Sequence, residues 1–282
     1  MMGSFSHFAA LGETVIPRIM NHFRTVRSTK PVVACLTNFV TTEFVANSLL
    51  AIGASPIMSQ DQRETDDLVL QSQVLYVNIG TLSKSFLEQA QLAVEIAKEN
   101  KKIVILDPVG AGFSRIRTAA AKQFVGFSSV IRGNVYEIAA LIGKKLESPS
   151  KGADSIEQDA EEWIELAQSF CQKHKLTLAI TGRHDYIVDA KNISKLSFGS
   201  PVMCCITGMG CALSAVIAAL CTTSDNHFKA TYDAVSYFSI CGQCAAKKTS
   251  LPGHFRCHFI DLLNSISEEE MMSVVKSNSS TL

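Results

Sequence analysis

An excess of charge of either sign is the first thing this chain lacks. Its 282 residues carry 26 Lys+Arg and 26 Asp+Glu, for a formal net charge of +0 and a pI near 7.0. No global field therefore draws it to nucleic acid or to an anionic membrane surface, and neither is expected as a partner. Residues 1–10 lack a basic stretch followed by an apolar one, and the apolar run 211–221 is too short and too polar at its edges to span a bilayer. A cytoplasmic protein is expected. There is no internal repeat and no long Pro/Ser/Gly linker, while 47% of residues are hydrophobic and 18% charged, enough to bury a large core. These absences predict one domain over 1–282, with an N-terminal extension at 1–29, in which 15–23 suits a covering helix, and a frayed polar tail over 267–282.

Nine cysteines is an odd number, and Cys35, Cys171 and Cys221 lie inside apolar segments, as expected of reduced thiols used as small hydrophobes. Cys241-Gly-Gln-Cys244 has CxxC spacing but falls in an apolar helical pattern without a second pair, so a packing role outweighs zinc or redox chemistry. His254, Cys257 and His258 also have metal-like spacing; without further ligands they read as helix-start and packing residues. Cys204 and Cys205 stand in a stretch expected to be extended, where neighbours point to opposite faces and an unstrained disulfide is excluded.

Short apolar runs alternate with helical patterns. Residues 31–36, 74–79, 102–107, 129–132 and 177–181 read as strands, and 41–52, 86–99, 135–142 and 157–174 as helices. Residues 185–189 and 193–198 suit a hairpin-like pair, and 211–222, 228–247 and 254–265 suit helices. The alternation predicts an α/β chain with a mostly parallel central sheet flanked by helices on both faces.

In such sheets ligands gather beyond the carboxyl ends of the strands. There the chain delivers Asp107-Pro-Val-Gly-Ala-Gly112, then Arg132-Gly-Asn134 with Glu137 one turn on, then Thr181-Gly182. Asp107 and Glu137 suit Mg²⁺, a hard cation that takes carboxylate oxygens and keeps waters, and the planar fork of Arg132 suits phosphate oxygens. Each alone is more often a cap or a surface ion pair; their convergence on one edge favours a site. Thr207-Gly208-Met209-Gly210-Cys211 precedes an Ala-rich helical run whose first N–H groups have no internal partner, which makes an anion site with a reactive thiol beside it. The positive end of the helix favours the thiolate there, while a bound phosphate pushes the other way.

Together these residues resemble the hydroxyethylthiazole kinase family of the ribokinase-like fold. The likeness runs from about 36 to 266 and includes Thr37-Asn38-Phe39-Val40, Asn47 with Ala51 through Met58, Asn78-Ile-Gly80-Thr81-Leu82, the Asp107, Arg132 and Thr181 motifs, Thr207 through Cys211, and Pro252-Gly253. The resemblance implies a kinase without a separate lid domain that phosphorylates the alcohol of 4-methyl-5-(2-hydroxyethyl)thiazole for thiamine salvage. It implies that Met58 and Gly208 line the thiazole pocket, Arg132 and Thr181 hold the co-substrate ATP, Asp107 and Glu137 serve Mg²⁺ or its waters, and Cys211 stands at the catalytic-base position. It also implies a homotrimer with thiazole sites near subunit contacts. The chain departs from the family at Arg183-His184, where an acidic residue is common, at Met209, where a smaller one is, and in a shorter segment between Arg117 and Arg132.

Alternatives of the same fold are hydroxymethylpyrimidine (phosphate) kinase, disfavoured by the Met58 and Asn78–Thr81 motifs, and an ATP- or ADP-dependent NAD(P)H-hydrate dehydratase, which uses Asp where Cys211 stands. A cysteine-nucleophile hydrolase lacks a His placed in sequence to serve as its base. An inactive nucleotide-binding scaffold is the remaining reading.

Overall fold

The alternation of strands and helices builds one eight-stranded sheet, seen in a computed structural model that describes residues 3–144 and 160–279. The strands are β1 (Val32–Leu36), β2 (Ser55–Ile57), β3 (Val74–Asn78), β4 (Ile103–Asp107), β5 (Val130–Asn134), β6 (Thr177–Thr181), β7 (Asp185–Val188) and β8 (Ile193–Leu196). Their order is β2-β1-β3-β4-β5-β6-β7-β8; β7 runs antiparallel to both β6 and β8 at one edge, and every other pairing is parallel. The hairpin expected at 185–198 is this edge. Strand β2 was absent from the sequence reading: it has three residues, and Pro56 restricts it to a sheet edge, where a missing N–H is tolerated.

Successive side chains of a strand face opposite ways, and β3 shows the result. Val74 and Tyr76 enter one core, Leu75 and Val77 the other. The second face is covered by α3 (Thr65–Gln71), α4 (Lys84–Glu99), α5 (Arg115–Phe124), α6 (Val135–Ile142) and α7 (Ala160–His174). The first is covered by α1 (Gly3–Thr29), α2 (Thr42–Ile52), α8 (Met209–Cys221), α9 (His227–Lys248), α10 (Pro252–Ser265) and α11 (Glu268–Ser279). Of the helix expected at 157–174, residues 157–159 lie outside the described residues.

The covering helix expected at 15–23 is part of α1, whose Ile16, Ile19, Met20, Phe23 and Val26 repeat at helical spacing and are all buried. A polar clasp orients it. Arg18 donates from Nε and Nη2 to the two carboxylate oxygens of buried Asp233 on α9, at 2.9 and 2.6 Å, and His22 Nδ1 stands 3.2 Å from the same carboxylate. Leaving Asp233 unpaired inside the protein would be costly, so the pair fixes where α1 lies.

Three expectations fail. The stretch from 267 is helix α11 rather than a frayed tail: Ser267 Oγ accepts from Glu270 N, and Met271 and Val274 are buried against α1 and α9. Its polar composition hid two apolar residues three apart. Cys204 and Cys205 are not extended. They end a one-turn 3₁₀ segment, Pro201–Cys205, started by the Ser200 cap and the preset φ of Pro201, and both are exposed. His254 and Cys257 do not pack, because the face of α10 that carries them is exposed; Phe255 and Phe259 fill the core instead. The 3₁₀ segment is held through Met203: a Cβ on Gly242 of α9 would overlap the Met203 sulfur, with Cε 2.8 Å away. The glycine of the CxxC stretch thus makes a notch for a thioether, and Cys241 and Cys244 are buried thiols as expected.

If α11 is a packed helix, Met271→Ala removes a fully buried side chain and should lower the unfolding free energy by about 2–5 kcal/mol. Denaturant titration at unchanged slope measures it. A change within about 0.5 kcal/mol, the range of ordinary surface substitutions, would restore the frayed picture.

Candidate active site

The carboxyl ends of β3 and β4 are in register, with Asn78 beside Asp107. Both side chains are fully buried, yet both are polar. Asp107 Oδ2 accepts from Ser214 Oγ of α8 at 2.8 Å and from Asn78 Nδ2 at 3.2 Å, and lies 3.9 Å from Arg132 Nη1. The Tyr76 hydroxyl is 3.4 Å from the same oxygen and 3.0 Å from the carbonyl of Cys211, with one proton for the two. Asp107 Oδ1 is buried with no partner. Burial pushes this carboxyl up to about 6, against the pull of the Arg132 charge, with Glu137 adding to the rise and the Ser214 and Tyr76 hydroxyls opposing it.

Arg132 reaches across this group. Its Nη2 donates to Thr181 Oγ1 at 2.6 Å, its Nε is buried without a partner, and its guanidinium covers the N-terminus of α8. A Cβ on Gly210 would overlap that guanidinium, with Cζ 2.8 Å away, so a side chain at 210 would displace Arg132 from this position. Gly208 caps α8 in the left-handed region, φ 91°, where a Cβ would sit 2.9 Å from Thr41 Cγ2. The two glycines expected to admit a ligand are thus both pressed by protein groups.

Cys211, in the first turn of α8, is buried. Asn38 Nδ2 donates to its sulfur at 3.5 Å and to Asn78 Oδ1 at 2.9 Å, while Asn38 Oδ1 accepts from Thr41 N at 3.1 Å. Burial pushes the thiol up from its ordinary value, the Asp107 charge adds to this, and hydrogen bonds from Thr41 and Asn78 oppose it. The sequence expectation that the helix end favours the thiolate is outweighed by desolvation.

Glu137 acts as a clamp: Oε1 accepts from Gly110 N at 2.9 Å and Oε2 from Asn134 N at 2.8 Å, completing a capping box in which Asn134 Oδ1 accepts from Glu137 N. Among the described residues no group of three or more His, Cys, Asp or Glu gathers as a metal cage. Met58 stands apart from this edge, in the wall of a cleft of about 630 Å³ shared with Thr37, Phe39, Thr42, Gly80, Thr81 and Arg117. Gly208 is not among the lining residues; it touches Thr41, the neighbour of Thr42.

The structure therefore brings Asp107, Arg132, Thr181 and Cys211 to one edge, with Glu137 bracing its loops. Several contributors had no assigned role in sequence. Tyr76 reads as one more apolar strand residue, Ser214 as a small residue of an Ala-rich helix, and Asp185, whose Oδ1 accepts from Gly182 N and whose carboxyl burial raises to about 6, as an ordinary strand start. Arg117 carried a signal: α5 begins with Arg115 and Arg117 and no acid in its first turn, against the preference of a helix N-terminus for negative charge.

A family model described as the hydroxyethylthiazole kinase family matches residues 23–269. The hydroxyethylthiazole kinase of Chlamydia caviae is 38% identical over 248 residues, covering 87% of this chain and 94% of that protein. The solved hydroxyethylthiazole kinase protein of Pyrococcus horikoshii superposes with a TM-score of 0.81 at 31% identity, over 90% of this chain and 95% of that one. A ribokinase-like superfamily protein of Enterococcus faecalis, 16% identical with a TM-score of 0.60 over 82% of this chain and 86% of its own, shares the fold. Among the described residues no helix is long and apolar enough to cross a membrane. The chain belongs to the hydroxyethylthiazole kinase family.

Proposed function

We propose that this protein transfers the γ-phosphoryl group of ATP to the hydroxyl of 4-methyl-5-(2-hydroxyethyl)thiazole, an enzyme of thiamine salvage. The observation that carries this reading is the half-buried Arg132 guanidinium lying over the N-terminus of α8, in a chain that also has a separate cleft walled by Met58. The guanidinium suits anionic oxygens, and the cleft, where Met58, Phe39 and Phe86 stand with Thr37, Thr42 and Thr81, suits a small molecule with both apolar and polar atoms. Arg132 and Thr181 are read as the nucleotide contacts, and Met58 and Gly208 as the thiazole contacts. The chain is read as one kinase domain in the cytoplasm, without a lid. A homotrimer fits the exposure of Phe39, 71%, in the wall of the cleft, and of its neighbour Val40, 61%.

In the transfer the substrate alcohol loses its proton, its oxygen bonds to the γ-phosphorus, and the bond to the bridging β,γ-oxygen breaks to release ADP. The transition state is loose, so alignment and charge neutralisation supply most of the acceleration. The N–H groups at the start of α8 and the Arg132 guanidinium face the charge on the transferred group. Cys211 is read as the acceptor of the alcohol's proton. Its raised thiol makes it a base available to only a small fraction of molecules at neutral pH, which suffices where proton removal is late.

Mg²⁺ would be held by the orphaned Oδ1 of Asp107, with Glu137, both of whose oxygens already accept backbone N–H groups, reached through a water. Bound there, the cation would neutralise phosphate charge.

The direct test supplies purified protein with ATP, Mg²⁺ and a panel of thiazole and pyrimidine alcohols, and identifies products by mass. The thiazole phosphate is expected, with the larger kcat/KM; a larger value for hydroxymethylpyrimidine would overturn the substrate. Arg132→Ala should raise the KM for ATP by about tenfold or more, since charge-assisted contacts contribute about 1.5–3 kcal/mol, and leave thiazole binding nearly unchanged. Equal nucleotide affinity in the folded variant would remove Arg132 from the site.

Cys211→Ala should lower kcat by about 10²–10⁴-fold. Cys211→Asp should keep or raise it, because a carboxylate replaces a base but not a sulfur nucleophile. The pH profile separates the two further: wild-type kcat should climb with pH above neutrality as the raised thiol deprotonates, and the Asp variant should be flat there. An inactive, folded Asp variant, or a covalent mass shift at Cys211 during turnover, would defeat the base reading.

A further inference from the structure

Beyond Asn78 and Asp107 the two central strands part. The last ladder contact between them is Ile79 N donating to Asp107 O at 3.2 Å; after it one chain runs into Ile79–Ser83 and the other into Pro108–Ser114. Carbonyl groups facing that gap have no sheet partner. One side chain takes three of them: Arg117, from the first turn of α5, donates from Nη1 to Ile79 O at 3.1 Å and Val109 O at 2.9 Å, and from Nη2 to Gly80 O at 2.9 Å.

The fit is built from the other side as well. Gly110 is in the left-handed region, φ 76°, and a Cβ there would lie 2.9 Å from Arg117 Cδ, so the loop turns closely over the arginine stem. Among the described residues no carboxylate forms an ion pair with this guanidinium, so its partners are backbone dipoles. Each loop also has an anchor of its own. Gly80 N donates to Asn78 Oδ1 at 2.9 Å, and Gly110 N to Glu137 Oε1 at 2.9 Å. These anchors tie each loop to a different partner; beyond the Ile79–Asp107 contact, Arg117 ties the loops to each other.

We infer that Arg117 is a positioning residue that sets the distance between the Gly80–Thr81 wall of the cleft and the loop following Asp107, and so the placement of the alcohol relative to the phosphoryl-transfer edge. The planar fork is what the task requires, because a lysine ammonium has no rigid geometry with which to span three carbonyls. Misplacement of a reacting atom by about 1 Å costs up to about 10²-fold in rate, so a small change in this spacing is expected to reach the chemistry. The inference rests on the alcohol kinase reading and is independent of the role of Cys211.

The test compares the full-length wild type with Arg117→Lys and Arg117→Ala, using whichever alcohol of the panel the wild type phosphorylates best. KM and kcat are measured for the alcohol and for ATP, and the alcohol's Kd is measured by calorimetry without nucleotide, so a wild type that binds without turnover still decides the matter. Arg117→Lys should lower kcat and raise alcohol KM and Kd, each by about tenfold, while the KM for ATP stays within about twofold. In Arg117→Ala the defect should deepen, and millimolar guanidinium ion, but not ammonium, should restore part of it. Should the Ala variant fail to fold, the Lys variant carries the test. Alcohol affinity equal to the wild type, an equal rise in the KM for ATP, or a loss confined to the fraction of active molecules would each overturn the inference and leave Arg117 an ordinary structural residue.

Discussion

A carboxylate with no exposure, at the end of the strand in the middle of the sheet, is the constraint around which this protein is arranged. Desolvation disfavours the charge of Asp107, and its neighbours are placed to oppose that cost: a hydroxyl from α8, an amide from β3, a tyrosine from the same strand as the amide, and a guanidinium from β5. These donors come from three separate elements of the chain, β3, β5 and α8. The sheet order that puts β4 between β3 and β5, and the packing of α8 over them, are therefore conditions for Asp107 to exist as it does. The same arrangement leaves one carboxylate oxygen of Asp107 and one guanidinium nitrogen of Arg132 buried without partners.

Much of this was legible in the sequence. The helix at 135–142 coincides with Val135–Ile142, and the strands of the parallel core lie within a residue or two of the runs that announced them, because a strand buried on both faces is a plain apolar run. Asp107, Arg132, Thr181 and Cys211 were also readable, since each follows a strand end or opens a helix where such residues gather. Elements with little apolar weight were not. The first turns of α5 and all of α3 are mostly polar, β2 contains a proline, and α11 offers two buried positions in a polar segment.

What the sequence concealed most completely was which partner each special residue serves. Gly208 and Gly210 stood out correctly, but as places for a ligand; their neighbours are Thr41 and Arg132. Glu137 stood out as an acid near a phosphate site, yet its oxygens hold two backbone amides. Tyr76 and Ser214 had no visible signal, because a lone polar atom in an apolar run acquires meaning only when another segment is folded against it. A motif records the residue type that a position demands. It does not record whether protein or ligand makes the demand.

The Met203–Gly242 contact carries a consequence for the history of the sequence. The two positions are 39 residues apart, one in the short turn that leads into the Gly208 cap and the other in the middle of a long helix, and neither faces the reacting edge. Because the thioether fills the space that a methyl group on the helix would need, the pair behaves as a single inherited character. A larger residue at 242 makes the half-buried thioether swing aside, and a smaller one at 203 leaves a hollow beneath the loop. Across diverging lineages these two sites should change together.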